Sequence, residues 1–105
     1  MCDFAVVAVK TGDEDQGAAS VSLLIIEADR DGFSKGKPLR KVGMHAQDTC
    51  ELFFEDVKVP KENRLGEEGQ GFIMLMEELA WERLMIAIIS VAGAEGALEQ
   101  TLEYT

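Results

Sequence analysis

Residues 69–105 read GQGFIMLMEELAWERLMIAIISVAGAEGALEQTLEYT, and this stretch decides the fold of the chain. Phe72, Met76 and Leu79 recur at the spacing of one helical face, and no proline interrupts the stretch. Most of its residues are strong helix formers such as Leu, Met, Ala and Glu. The stretch therefore predicts one or two consecutive helices.

The middle of this stretch, residues 84–94, contains eleven residues without a charge. Its apolar side chains cover nearly every direction around a helix axis, and a helix that is apolar on all sides has to be buried on all sides. A bilayer span needs roughly 20 residues, so the run is too short to cross a membrane. We therefore expect protein partners around it, which the rest of the chain does not obviously supply.

Composition limits the possible functions. The 105 residues suffice for one small domain, and their formal charge of −10 argues against nonspecific nucleic-acid binding. Cys2 and Cys50 have no paired spacing and His45 is the single histidine, so we expect no metal site and a reducing intracellular compartment. The start of the chain does not resemble a signal peptide. Strand-like residues begin at Phe4 and helical periodicity continues to Tyr104, so we expect a piece of a longer protein.

The residues before the helix predict extended structure. Phe4–Lys10 is rich in β-branched residues and apolar on both faces, which predicts a strand covered on both sides. Further extended segments are expected at 20–28, 33–41 and 49–54, with loops at 11–17 and 63–71. Strands followed by helices predict an α+β fold, in which an antiparallel sheet precedes one or two long helices. The division is expected near residue 65, between segments 1–64 and 65–105.

Two clusters allow a ligand-binding interpretation, and each has a simpler one. Four cationic side chains lie within seven residues: Lys35, Lys37, Arg40 and Lys41. Such a cluster could bind the phosphates of a nucleotide-like ligand. More often it is the solvated rim of a strand. The glycine-rich segment 66–71 precedes a helix, as a phosphate-binding loop does. Its two adjacent glutamates would repel a phosphate, so helix capping explains the segment better.

Glu82 is the carboxylate best placed in the sequence to act as a catalytic base. It lies beside Trp81 and directly before the charge-free run, where a carboxylate loses hydration and becomes a stronger base. Arg83 could keep it ionised or bind a ligand. A Glu-Arg pair in a helix is, however, more often structural than catalytic.

Short motifs along nearly the whole chain resemble one known family. They are GF at 32–33, LRKVGM at 39–44, DT at 48–49, ELFFEDV at 51–57, VP at 59–60, LGEEGQGF at 65–72 and ER at 82–83. In this order and at these spacings they resemble the acyl-CoA dehydrogenases, most closely the long-chain branch. The resemblance implies a flavoenzyme that oxidises an acyl-CoA to a trans-2-enoyl-CoA in fatty-acid β-oxidation and passes electrons from FAD to electron-transfer flavoprotein.

The resemblance also implies an architecture. Segment 1–64 corresponds to the second half of a middle β-domain, a partial β-barrel, and segment 65–105 to a linker and the first helices of a C-terminal helical domain. Family members commonly form homo-oligomers. The resemblance implies a cytoplasmic protein, or one of the mitochondrial matrix if the source is eukaryotic, with no nucleic-acid or membrane partner.

The resemblance assigns roles to individual residues. Glu82 corresponds to the acceptor of the α-proton, and Ala80, Trp81 and Arg83 lie in the segment that contacts the acyl-CoA. Ala18, Ala19 and Ile73 match further substrate-contact positions, although their residue types differ from those expected there. The segments that bind FAD lie outside residues 1–105, so we expect the isolated chain to bind no FAD and to be inactive.

Two alternatives remain open from the sequence. The chain could be a non-catalytic interaction module, in which a small sheet carries a helix that self-associates through residues 84–98. It could also be part of an acyl-CoA oxidase, which shares the middle domain but passes electrons to oxygen.

Overall fold

A computed structural model describes residues 2–105 of the chain, apart from the side chain of Glu14. The structure divides into two compact units, the first ending at Gly71 and the second comprising Phe72–Thr105. The first unit contains the β-strands and the second is helical.

The described elements follow one another along the chain in a fixed order. They are β1 (Phe4–Lys10), a 3-10 segment (Glu14–Ser20), β2 (Val21–Glu27), β3 (Phe33–Lys35), β4 (Leu52–Phe54), a 3-10 turn (Lys61–Asn63), β5 (Arg64–Leu65) and α1 (Gly71–Tyr104). Strands precede the helix, as the α+β prediction requires.

The larger sheet contains three antiparallel strands in the order β1-β2-β5. β1 pairs with β2 along its whole length, from Phe4 opposite Glu27 to Lys10 opposite Val21. β5 pairs with the other edge of β2, where Leu23 lies opposite Leu65. The central strand also carries the buried apolar side chains of the core, Leu23 and Ile26.

The smaller sheet is a ribbon of β3 and β4, in which Phe33 lies opposite Phe54. Their rings pack edge to face with centroids 5.2 Å apart, a geometry that aromatic pairs favour. Glu55 donates its amide hydrogen to the Gly32 carbonyl at one end of the ribbon. Gly32 has a φ of 84° there, and Asp56, just after the strand, has a φ of 49°. An extended strand cannot contain a left-handed residue, so the extended structure of β4 does not continue through Asp56.

The structure corrects three details of the sequence prediction. β1 is not covered on both sides, because Phe4 and Val6 are 56% and 52% exposed. The extended segment predicted at 33–41 is limited to Phe33–Lys35. Much of the loop predicted at 11–17 belongs to the 3-10 segment Glu14–Ser20. The fold class is confirmed: the described residues form open antiparallel sheets, without a closed barrel, followed by one long helix.

The helical stretch is one continuous helix, α1, of 34 residues. It contains Gly93 and Gly96, each of which costs a helix about 1 kcal/mol relative to alanine, so the surrounding helix formers outweigh them. The charge-free run is exposed along α1; Ile86 and Val91, for example, are 64% and 69% exposed. No helix of the described chain is long and apolar enough to span a bilayer.

Candidate functional site

The residues predicted to act on the substrate lie on two elements. Ile73 and Ala80–Arg83 lie on α1, in the second unit. Ala18 and Ala19 lie on the 3-10 segment Glu14–Ser20 of the first unit. Each of the two groups of predicted site residues therefore lies on a single element of the structure.

The α1 group begins at Ile73 in the first turn of the helix and continues at residues 80–83 in the third and fourth turns. Ile73 and Ala80 are seven residues apart and therefore share a face, whereas residues 81–83 continue around the axis. All of these side chains are exposed, and Trp81 is 60% exposed. Their arrangement forms an open surface with an indole ring, a carboxylate and a guanidinium in consecutive positions.

Both charged and apolar residues lie one helical turn from Glu82. Glu78 and Leu79 precede it by one turn, and Met85 and Ile86 follow it by one turn. Among the described residues, neither Glu82 nor Arg83 forms a salt bridge. The carboxylate is therefore not paired with a cation of the described chain.

The 3-10 segment that carries Ala18 and Ala19 is kinked at Gly17, whose φ of 56° and ψ of −122° are not helical. Ser20 ends the segment; it is fully buried, and its hydroxyl donates to the Gly17 carbonyl at 2.6 Å. This bond closes the kinked turn, so Ala18 and Ala19 stand exposed on a turn with a buried end.

A buried hydroxyl connects the start of β2 to the glycine-rich segment. Ser22 is fully buried, and its Oγ accepts the Gly69 amide hydrogen at 2.9 Å and contacts the Thr11 hydroxyl at 2.7 Å. Gly71 lies so close that a Cβ there would be 2.9 Å from the Val21 carbonyl oxygen. The glycines of this segment therefore permit close packing of two backbones, a role that the capping interpretation did not include.

The sequence contained no signal for this contact, because Ser22 and Gly69 are 47 residues apart. Thr11, Ser20 and Ser22 resemble ordinary polar residues at strand ends. Only the return of the chain to the start of β2 makes them partners.

The side chain of Glu27 is a second carboxylate of interest, because its hydrogen bonds shift its pKa. Arg30 Nε donates to Glu27 Oε2 at 2.5 Å, and Asn63 Nδ2 contacts both carboxylate oxygens at 3.0 and 3.1 Å. These hydrogen bonds, that of Arg30 above all, lower the pKa of Glu27 to about 2. Glu27 is therefore held ionised by structural partners and is a poor candidate for a general base.

The cationic cluster is partly used within the fold. Lys35 Nζ donates to the Cys2 carbonyl at 2.5 Å, and Lys41 Nζ donates to the carbonyls of Met44 and Gln47. His45 Nε2 lies 2.9 Å from the Lys41 carbonyl and closes the same loop. The contacts of Lys41 and His45 stabilise the connection between β3 and β4, whereas Lys35 joins β3 to the residues before β1, so a structural interpretation accounts for Lys35 and Lys41.

One cavity of the first unit offers no features of a flavin site. A cavity of about 540 Å³ in the first unit has Cys2, Lys35, Pro38, Cys50 and Leu52 among its lining residues. It has no aromatic ring to stack on a flavin and no helix N-terminus for a pyrophosphate. Within residues 2–105, no three His, Cys, Asp or Glu side chains converge as metal ligands do.

Comparison with known proteins identifies the family. The model of the acyl-CoA dehydrogenase C-terminal domain matches residues 69–105. The mitochondrial long-chain specific acyl-CoA dehydrogenase of Rattus norvegicus is 48% identical over 99 residues, or 94% of this chain. The crystal structure of an acyl-CoA dehydrogenase from Geobacillus kaustophilus matches 83% of this chain with a TM-score of 0.77 and 55% identity. The chain belongs to the acyl-CoA dehydrogenase family.

Other acyl-CoA dehydrogenase relatives extend the comparison. The CarC subunit of the caffeyl-CoA reductase-Etf complex of Acetobacterium woodii is 41% identical over 104 residues, or 99% of this chain and 27% of the subunit. The chain spans only 23% of the rat and Geobacillus acyl-CoA dehydrogenases. These relatives are oxidoreductases, and the open sheets and single long helix match the acyl-CoA dehydrogenase fold.

Proposed function

We propose that this chain is a segment of an FAD-dependent acyl-CoA dehydrogenase, which oxidises an acyl-CoA thioester to the trans-2-enoyl-CoA in β-oxidation. The similarity to a long-chain specific acyl-CoA dehydrogenase over 94% of the chain supports the reaction class. The carboxylate of Glu82 supports the role of this segment, because the reaction requires a base for the α-proton.

In this proposal Glu82 accepts the α-proton of the acyl thioester. Its carboxylate has no salt bridge within the described chain, and apolar residues follow it along α1. When the acyl-CoA and further residues cover this surface, water is excluded and the carboxylate becomes a stronger base. This unpaired carboxylate beside an apolar surface is the observation that carries the assignment.

The neighbouring positions have a binding role in the proposal. Ala80, Trp81, Arg83 and Ile73 contact the acyl-CoA from α1, and Ala18 and Ala19 contact it from the 3-10 segment. Small side chains at 18 and 19 leave room for a bulky thioester, and Trp81 offers a large exposed ring.

The redox cofactor of the proposed enzyme is FAD, which supplies the acceptor for the β-hydrogen. The chain spans 23% of the rat relative, so we propose that other parts of a longer protein hold the FAD and that the isolated chain is inactive. Electron-transfer flavoprotein is the proposed electron acceptor. The similarity to a subunit of an Etf complex supports this partner.

The same proposal covers the organisation of the protein. Segment 1–64 belongs to the middle β-domain and segment 65–105 to the linker and helical domain of a homo-oligomer. The protein works in the cytoplasm, or in the mitochondrial matrix of a eukaryote; the mitochondrial rat relative supports the second location.

A chimera tests the catalytic role of Glu82. This chain would replace the matching segment of the rat long-chain enzyme, and Glu82→Gln would be introduced into the chimera. We expect the rate of acyl-CoA oxidation to fall roughly 10²-fold or more, because the glutamine cannot accept the proton. The dissociation constant of the acyl-CoA, measured from the change in flavin absorbance on binding, should change little.

Glu99→Gln is the matched control, because Glu99 is an exposed glutamate elsewhere on α1. It should leave the rate within about twofold of the parent chimera. Full activity of the Glu82→Gln chimera would refute the proposed base. In parallel, the isolated chain should be colourless and should not reduce a dye with a long-chain acyl-CoA.

The exposed apolar surface of α1 favours a second candidate function. A helix with this much exposed apolar area can serve as a self-associating interaction module without any catalysis. An open reading frame that ends naturally at both termini of this chain would favour the module, whereas a frame that continues past them would favour the enzyme segment.

A further inference from the structure

Two serines at the start of β2 are the most deeply buried side chains among the described residues. Ser20 and Ser22 are fully buried, whereas the two buried apolar residues of the same strand are 5% and 4% exposed. A buried hydroxyl is unfavourable unless it is hydrogen-bonded, so this part of the fold depends on the bonds that the two serines make. These bonds lead to the turn that carries Ala18 and Ala19.

The side chain of Ser22 holds the glycine-rich segment in place. Its Oγ accepts the Gly69 amide hydrogen at 2.9 Å and lies 2.7 Å from the Thr11 hydroxyl. The serine hydroxyl is thus bonded on two sides, and neither it nor the Gly69 amide can turn away without leaving a buried polar group unpaired. Ser22 therefore fixes the position of the Gly69 backbone.

The Gly69 backbone in turn lies directly against the 3-10 segment Glu14–Ser20. A Cβ on Gly69 would collide with the Ala19 carbonyl oxygen. Gly69 also has a φ of 80°, so a glycine is needed both for this conformation and for this close approach. At such a contact the Ala19 peptide has no room to move towards the glycine-rich segment. The position of Gly69 therefore limits the position of Ala19.

The other contacts of the turn are at its ends. The Ser20 hydroxyl donates to the Gly17 carbonyl at 2.6 Å, and the Thr11 amide donates to the Ser20 carbonyl at 2.8 Å. Between these ends the turn is kinked at Gly17, the residue type with the greatest backbone freedom. A contact from outside the turn, such as that of Gly69, therefore helps to set its shape.

We propose that Ser22 is a positioning residue for the acyl-CoA, because it holds Gly69 against the turn on which Ala18 and Ala19 contact the substrate. This inference rests on the proposed function, in which these two alanines bind the acyl-CoA. Ser22 itself is fully buried and therefore out of reach of a ligand. It acts on the substrate through the backbones of Gly69 and Ala19.

The hydroxyl is the part of Ser22 that performs this role, because an alanine would fill almost the same space. Without the hydroxyl, the Gly69 amide has no acceptor, and the segment is more stable where water can bond to that amide. A displaced Gly69 releases Ala19, and misplacement of a substrate contact by about 1 Å can cost up to roughly 10²-fold. The cost falls on substrate binding, because the two alanines have no proton to transfer.

Steady-state kinetics of the chimera with the rat long-chain enzyme test the inference. Ser22→Ala should raise the KM for a long-chain acyl-CoA roughly fivefold or more, while kcat per bound flavin stays within about twofold. A purely structural role would have a different signature. Fewer folded molecules would lower the rate per total protein, but the molecules that fold would keep the parental KM.

Ile26→Val is the matched control, because Ile26 is a buried apolar residue further along the same strand. Loss of the buried methylene should lower the melting temperature of the chimera. The bond between Ser22 and Gly69 remains, so the KM should stay within about twofold of the parent value. An equal rise in KM for Ile26→Val and Ser22→Ala would overturn the inference.

Thr11→Val provides a second test, which decides if the Ser22→Ala chimera does not fold. It removes one partner of the Ser22 hydroxyl by a nearly isosteric change and leaves the acceptor of the Gly69 amide in place. Because the hydroxyl is then held on one side only, the KM should rise by roughly threefold. An unchanged KM in folded Thr11→Val would contradict the positioning role.

The same measurements separate this inference from the proposed function. A parent chimera that does not oxidise a long-chain acyl-CoA would refute the proposed function and the inference with it. An active parent chimera whose KM is unaffected by Ser22→Ala would overturn the inference alone and leave the proposed function standing.

Discussion

At the scale of single residues, Ser22 has the most demanding position in the first unit. Its buried hydroxyl serves both the Gly69 amide and the Thr11 hydroxyl. Removal of one partner from a buried hydrogen bond usually costs more than the bond contributes, because the remaining group stays desolvated. Ser22 therefore anchors the glycine-rich segment to β2.

Ser22→Ala should destabilise the first unit by about 1–3 kcal/mol, because the Gly69 amide loses its buried acceptor. Urea unfolding followed by circular dichroism would measure the change. Ser34→Ala is the control, since Ser34 is exposed on β3, and should change the stability by less than about 0.5 kcal/mol. Equal effects of the two substitutions would show that the Ser22 contact contributes nothing specific.

At the scale of elements, α1 combines a strong helix-forming sequence with an exposed apolar surface. Residues 84–94 remain largely in contact with solvent in the described structure. Exposed apolar area of this kind drives association, and the absence of charge in the run leaves no local repulsion to oppose it. We therefore expect the isolated chain to self-associate through residues 84–98.

Ile89→Glu should weaken this self-association by about tenfold or more, because it places a charge in the middle of the apolar surface. Sedimentation equilibrium of the parent chain and of the variant would measure the change in the association constant. Gln100→Glu adds the same charge outside residues 84–98 and should have little effect. A parent chain that remains monomeric at high concentration would contradict the prediction.

At the scale of the whole molecule, acidic residues dominate, and the formal charge is −10. Within the first unit, Arg30 offsets part of this charge by bridging elements: it pairs with Glu27 and donates to the Lys58 carbonyl at 3.0 Å. Glu27 also raises the pKa of Arg30. Asn63 completes the connection by donating to the Ile25 carbonyl at 2.9 Å.

The pKa of Glu27 makes the stability of the first unit dependent on pH. It is about 2 in the folded chain and 4.5 for the unperturbed side chain. The ionised carboxylate therefore stabilises the fold fully above pH 4.5, and this contribution is lost as the pH falls towards 2. We expect Glu27→Gln to lower the melting temperature at pH 6 and to have a progressively smaller effect below pH 4.5.

Glu62→Gln is the control for this pH dependence, because Glu62 is exposed on the neighbouring 3-10 turn. Its effect on the melting temperature should be small at both pH values. The prediction fails if the difference in melting temperature between the Glu27→Gln variant and the parent chain stays constant from pH 6 to pH 3. The carboxylate would then not titrate in this pH range.

Much of the secondary structure followed from local patterns. The β-branched, apolar residues of Phe4–Lys10 and the helical spacing after Gly69 predicted β1 and α1 with bounds close to those observed. Extended structure was also predicted at 33–41 and 49–54, but the pairing of β3 with β4 was not, because each strand has only three residues and their register depends on where the chain returns. The roles of Glu82 and the other site residues remain predictions, since they depend on partners outside the described units.

The sequence by itself predicted the order of strands before helix and the apolar character of α1, because composition and periodicity act over a few neighbouring residues; the resemblance to the acyl-CoA dehydrogenases came from short motifs along the chain. Only the tertiary structure decided which distant groups meet. Ser22 with Gly69 and Glu27 with Asn63 become partners across 47 and 36 residues. Such partners depend on where the chain returns and not on the residues beside them in the sequence.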